Sequence, residues 1–186
     1  SEGEPILWWS PDPRLILYPQ KFIVRKSFRR VLRSGKFSVE FDKDFEEVIA
    51  HCATVYREGQ ETTWITNEMK EAYIRLHHQG FAHCVGVYLE GKLVGGLYGL
   101  AIGRAFFGES MFSLVSDASK VAFKALSDVL AWRGYDFIDC QMKTEHMVRL
   151  GAEVVERAVF LDALEETVVK PTESGSWNAF QWEYKE

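Results

Sequence analysis

The spacing of hydrophobic residues changes period several times along the chain, and each change marks an element. Phe28, Val31 and Leu32 recur at helical spacing between Ser27 and Ser34, with Lys26, Arg29, Arg30 and Arg33 on the opposite side. Phe37 to Phe41 alternates as a strand. Phe45, Val48, Ile49, Cys52 and Tyr56 mark a helix begun near Asp42. Thr66 is placed to cap a second helix that turns Met69, Ala72, Tyr73 and Leu76 inward and closes at Gly80. His83 to Leu89 and Lys92 to Ile102 read as strands, and Glu90-Gly91 between them is a hairpin signal. Gly103 then turns the chain into an aromatic strand, Arg104 to Ser113.

After that strand, Ala118, Val121, Ala122, Ala125, Leu126, Val129 and Leu130 follow a helical face, with Ser116 or Asp117 as its cap and Gly134 after its end. Tyr135 to Gln141 is a short apolar strand. Strand, helix and strand of these lengths predict two parallel strands joined by a crossover helix. Alternation puts Asp139 and Gln141 on one face, and Glu109 and Met111 on one face. Neighbouring strands would bring Glu109, Asp139 and Gln141 to one crevice. The start of the helix, Ser116 to Ser119, would face the same crevice with free N–H groups suited to an anion or carbonyl oxygen. Each of these polar groups is equally at home as the satisfied partner of a backbone group or an ion pair.

Composition narrows the class. A chain of 186 residues, 47% hydrophobic and 14% aromatic, can bury a sizeable core. It has no apolar run of membrane-spanning length and no charged-then-apolar leader, so a cytoplasmic protein with no membrane contact is expected. Cys52, Cys84 and Cys140 have no paired spacing, and the five histidines have no metal-ligand spacing, so no disulfide scaffold and no metal are expected. Net charge is −5, unevenly spread: residues 1–36 hold eight basic and three acidic side chains, so the excess of acid lies in the rest. The stripe Lys26, Arg29, Arg30 and Arg33 suits a phosphate backbone, or is a solvated helix face. Pro171 to Ser176 reads as a loop before an aromatic tail, Trp177 to Tyr184.

Several motifs occur in order. They are Ile6-Leu-Trp-Trp-Ser-Pro-Asp-Pro-Arg14, Thr63-Trp-Ile-Thr66, Ala72-Tyr73 with Leu76-His77, and Leu93-Val-Gly-Gly-Leu-Tyr-Gly99. Gly108-Glu-Ser-Met-Phe-Ser113, Ala118-Ser-Lys120, Ile138-Asp-Cys-Gln141 and Leu150-Gly-Ala152 follow. On these motifs the chain resembles the bacterial leucyl/phenylalanyl-tRNA–protein transferases over roughly residues 1–157. Only Ser1 to Pro5 precede the Trp-Trp motif, so a short member lacking the family's usual N-terminal segment is expected. The resemblance implies an α/β, acetyltransferase-like (GNAT-like) fold, a mixed sheet flanked by helices. The expected division is an N-terminal motif and basic helix, residues 1–36, packed on a main domain, residues 37–186. The Gln/Arg-x-x-Gly-x-Gly/Ala loop that cradles pyrophosphate in acetyl-CoA enzymes does not precede the Ser116 helix.

The resemblance also implies the chemistry. An amino acid (Leu, Phe or Met), esterified to transfer RNA, passes to the α-amino group of a protein beginning with Arg or Lys, tagging that protein for degradation. The ester is already activated, so no cofactor is implied. Asp139 and Gln141 are implied as the catalytic pair, with Glu109 in the same site. Physically, a carboxylate of Asp139 or Glu109 could hold a cationic N-terminus, and Gln141 could orient the amine or ester carbonyl. The proton acceptor is left among Asp139, water and the ribose hydroxyl. Trp64, Met111 and Phe106 or Phe107 are candidates for the amino-acid pocket, and Trp9 for stacking on the terminal adenine, though each also suits a core. The resemblance turns the basic stripe toward an acceptor stem. Two other readings are a small-molecule N-acyltransferase on the same fold and a non-catalytic binder of charged transfer RNA.

Overall fold

A computed structural model describes residues 10–54 and 65–185. Trp9 and Trp64 lie outside the described residues, as do Tyr56 and Ile6 to Trp8 of the Trp-Trp motif. The elements run β1 (Arg14–Leu17), a 3₁₀ turn (Pro19–Lys21), α1 (Lys26–Arg33), β2 (Ser38–Phe41), α2 (Phe45–Thr54) and α3 (Asn67–His78). Then come β3 (Ala82–Leu89), β4 (Lys92–Ile102), β5 (Ala105–Ser113), α4 (Ala118–Trp132), β6 (Phe137–Gln141), α5 (Glu145–Arg149), β7 (Glu153–Val155) and α6 (Arg157–Val168).

The strands form one sheet in the order β2-β3-β4-β5-β6-β1-β7. Among the described residues only β5 and β6 pair in parallel, with α4 between them in sequence, as the alternation of patterns predicts. Glu90 and Gly91 both take positive φ and close the β3–β4 hairpin directly, with Leu89 opposite Lys92. The Thr66 hydroxyl accepts from the Met69 amide at 3.2 Å and caps α3. The cap of α4 differs from expectation. Asp117 sits at the cap position with φ +71, but its carboxylate pairs with Lys120 at 2.6 Å. The Ser113 hydroxyl instead accepts from the Ser119 amide at 3.3 Å. That occupies one of the N–H groups expected to face a ligand.

The sheet separates apolar clusters. On one side Leu15, Leu17, Val85, Val87, Leu97, Phe106 and Ile138 pack with α4 and with Phe28 and Leu32 of α1. On the other, Phe45, Val48, Ile49 and Cys52 of α2 pack on Cys84, Tyr88, Tyr98 and Phe112. A third cluster joins Ile16, Ala105 and Phe137 to Phe160 of α6. Leu15, Leu17, Phe28 and Leu32, from the first 36 residues, thus share one cluster with the sheet and α4. β1 lies inside the sheet, between β6 and β7, because its four residues fill the ladder that β6 presents on its far edge.

The aromatic tail is also built into the core. Trp177 is 3% exposed and stacks on His83 with ring centroids 3.7 Å apart. Its amide donates to Asp42 Oδ2 at 2.6 Å, and the same oxygen meets His83 Nδ1 at 2.9 Å. Trp182 Nε1 donates to Asp128 of α4 at 2.9 Å. Pro171 to Ser176 is a loop, as expected, and the aromatic tail after it is a strap tied to β3 and α4. Among the described residues no helix is long and apolar enough to cross a membrane, and no cluster of ligating side chains could hold a metal ion.

Candidate active site

Strands β5 and β6 pair only from Ala105 opposite Phe137 to Phe107 opposite Asp139, while β5 runs on to Ser113 and β6 to Gln141. Past that point they part, and the polar groups singled out in the sequence lie where they part. The Gln141 side chain spans the opening: its Nε2 donates to the Gly108 carbonyl at 3.1 Å. Glu109 accepts hydrogen bonds from the Gln141 side chain and from the Tyr73 hydroxyl of α3.

Two irregularities build this arrangement. On β5, Tyr98 pairs with Ser110 and Gly99 with Gly108, so Glu109 has no opposite residue and forms a β-bulge. Gly99 makes the close pairing possible: a Cβ added there would lie 2.2 Å from the Phe107 carbonyl oxygen. The bulge overturns the expectation that Glu109 and Met111 share a face. Glu109 meets Tyr73 on the α3 side, whereas Met111 packs half-buried against the α4 cluster. On β6, Leu15 pairs with Gln141 and Ile16 with Asp139, which leaves Cys140 without an opposite residue. Gln141 then takes φ +63, a left-handed conformation rare for a residue with a side chain. Strand alternation therefore does not relate Asp139 to Gln141 as expected. Their link is a backbone one: the Gln141 amide donates to Asp139 Oδ1 at 2.9 Å.

Asp139 is fully buried. Arg14, the first residue of β1, grips it bidentately, Nε to Oδ1 at 2.9 Å and Nη2 to Oδ2 at 2.6 Å. A planar fork on a carboxylate is the strongest geometry such a pair adopts. Both Asp139 oxygens are thus engaged. The Glu109 carboxyl is half-buried, and burial pushes its pKa above the ordinary value of 4.5, against the pull of the Tyr73 and Gln141 hydrogen bonds. Burial likewise raises the Tyr73 hydroxyl, with the Glu109 charge adding to it, so Tyr73 stays a donor. Burial raises the Cys140 thiol, with the Asp139 charge adding to it, which keeps it protonated and makes it a packing residue rather than a nucleophile.

The other candidates divide. Phe106 is fully buried and sits tilted against Trp177, with centroids 6.0 Å apart. Phe107 packs half-buried with the α6 cluster, on the opposite side of the sheet from Phe106 and Met111. Phe106, Phe107 and Met111 therefore do not wall a single slot from one face. Lys26, Arg29, Arg30 and Arg33 are exposed on α1 while Phe28 and Leu32 are buried, as the spacing predicts. The Ile23 amide donates to the Leu150 carbonyl at 2.9 Å, which ties the lead-in of α1 to the end of α5. His77 stacks on Phe45 at 4.2 Å and its Nδ1 meets the Ala82 carbonyl, a packing role. The residues sequence reasoning missed are Arg14 and Tyr73. Arg14 closes the Ser-Pro-Asp-Pro-Arg motif, and helical spacing marks Tyr73 only as an inward position.

The family model described as leucyl/phenylalanyl-tRNA protein transferase matches residues 16–165. The chain belongs to this family. A leucyl/phenylalanyl-tRNA–protein transferase of Desulfatibacillum aliphaticivorans is 53% identical over 178 residues, covering 96% of this chain and 76% of its own. That of Myxococcus xanthus is 51% identical over 177 residues, covering 95% and 76%. That of Chromohalobacter salexigens is 54% identical over 179 residues, covering 96% and 70%. Among solved structures, the GCN5-related glucosamine N-acetyltransferase region of a fungal multi-domain β-N-acetylglucosaminidase superposes with a TM-score of 0.54 at 11% identity. It covers 78% of this chain and 20% of that one, and the likeness is one of fold. The expected acetyltransferase-like mixed sheet is the fold observed.

Proposed function

We propose that this protein transfers leucine or phenylalanine, or methionine, from charged transfer RNA to the N-terminal arginine or lysine of other proteins, in the cytoplasm. The observation that supports it is the cluster of Glu109, Gln141 and Asp139 at the parted ends of β5 and β6 in a chain of this family. The acceptor amine attacks the ester carbonyl, a C–N bond forms, and the C–O bond to the ribose breaks. The proton shed by nitrogen ends on the ribose oxygen, so the reaction balances with no further reactant.

Each group has a role that fits its surroundings. Asp139, with both oxygens engaged and no exposure, holds geometry and takes no proton. Gln141 orients the amine and the ester carbonyl, which a side chain that both donates and accepts can do. Glu109 is the carboxylate an incoming ammonium group meets, and its raised pKa suits it to take the proton and hand it on. Met111, from the α4 side, serves the aminoacyl side chain together with Trp64, while Trp9 stacks on the terminal adenine. The basic face of α1 holds the acceptor stem through its backbone, which carries no sequence information.

The test is to incubate the protein with transfer RNA carrying radioactive Leu, Phe or Met and a peptide beginning with Arg or Lys. Labelled peptide is expected, and none from acetyl-CoA. Acetylated product would make the protein a small-molecule N-acyltransferase. Binding of charged transfer RNA without labelled peptide would make it a binder only.

A further inference from the structure

Arg14 touches none of the reacting atoms in the reaction above, yet its surroundings fix it more firmly than a counter-ion requires. Its side chain is 12% exposed and that of Asp139 1%. The guanidinium carbon lies 4.7 Å over the centroid of the Phe160 ring, so its face rests on α6 while its edge grips Asp139. The motif is anchored on α6 at its other end too. The Arg157 amide donates to Asp12 Oδ1 at 3.2 Å, and Arg157 Nη1 to the Ser10 carbonyl at 3.0 Å. The strand that begins at Arg14 is held between β6 and β7.

The contacts run in one direction from there. Arg14 fixes the plane of the Asp139 carboxylate. Asp139 Oδ1 accepts from the Gln141 amide, at the residue whose φ of +63 departs from the strand. That backbone turn sends the Gln141 side chain to the Gly108 carbonyl and to Glu109. A single point charge at position 14 would neutralise Asp139 without fixing its plane.

We infer that Arg14 is a positioning residue for the transfer reaction, holding Asp139 so that Gln141 keeps its left-handed backbone and its side chain spans the gap between β5 and β6. This rests on the transferase reading. The competing role is charge balance alone, because a buried carboxylate left without a partner is costly.

The experiment compares the full-length protein with Arg14→Lys, Arg14→Met and Arg14→Met/Asp139→Asn. Positioning predicts that Arg14→Met and Arg14→Lys each lose turnover by up to about 100-fold, the cost of a small misplacement at a reacting centre. KM for charged transfer RNA stays at the wild-type value. The double variant regains melting temperature over Arg14→Met but not kcat. In protein labelled with ¹⁵N-glutamine, the Gln141 side-chain amide signal, identified by its loss in Gln141→Glu, moves in both single variants. Wild-type kcat in Arg14→Lys, or recovery of kcat together with melting temperature in the double variant, would overturn the inference. If the wild-type protein transfers no amino acid, the transferase reading falls. The Gln141 signal then decides: unmoved in Arg14→Lys, it overturns the positioning role, and moved, it sustains it.

Discussion

Glu109 occupies a bulge with no cross-strand partner, half-buried beneath Tyr73 and Gln141. Its folded pKa lies above 4.5, so folding binds its proton more tightly than the unfolded chain does. Its contribution to stability is full below about 4.5, the unfolded carboxyl value, and is lost as pH rises through the raised folded value. Glu109→Gln removes that titration while an amide oxygen still accepts from Tyr73. The variant should therefore melt above the wild type at pH 8, and the gap should close as pH is lowered toward that of an ordinary carboxyl. Melting curves across pH check this, and a gap independent of pH would show that Glu109 is solvated. At this scale the sequence exposed the polar residues of the site, because Glu109, Asp139 and Gln141 interrupt otherwise apolar strands. It hid Arg14 and Tyr73. Their partners are 125 and 36 positions away in sequence, and no local period relates them.

Elements with a sustained period were legible: the β3–β4 hairpin, α2, α3, and the β5–α4–β6 crossover all fall where the pattern puts them. Elements of five residues or fewer late in the chain, α5 and β7, carry too few positions to show a period, and β1 is four consecutive residues beside a proline motif. The bulges at Glu109 and Cys140 escaped for a related reason. A bulge is a mismatch between two strands, so neither strand shows it alone. Helix α1 was legible because its two sides differ so sharply, and it carries a prediction. With Arg29, Arg30 and Arg33 replaced by Glu, transfer RNA should bind more weakly and with a shallower dependence on salt, since fewer counterions are released. A short aminoacyl-adenosine, which lacks the acceptor stem, should bind as before. Filter binding at several salt concentrations checks this; unchanged binding of the whole transfer RNA would leave the stripe a solvated face.

Across the described residues of the molecule, β1 and the aromatic tail converge on the crossover unit. β1 pairs with β6 next to Asp139, and the strap at Trp177 closes the α4 side of the core over His83 and Phe106. On the proposed reading, the acid-rich remainder of the chain would repel nucleic acid and the basic first 36 residues would attract it, so charge would orient a transfer RNA toward α1. The parted ends of β5 and β6 are where the account places the chemistry. Single-turnover transfer, followed by mass spectrometry of a peptide beginning with Arg, tests that placement most directly in wild-type protein and Gln141→Ala. The wild type should yield a peptide heavier by one residue of Leu, Phe or Met. Gln141→Ala should do so about 10²–10³-fold more slowly, the usual cost of losing a positioned transition-state contact, while binding charged transfer RNA equally well. Equal rates in the two proteins would contradict the account.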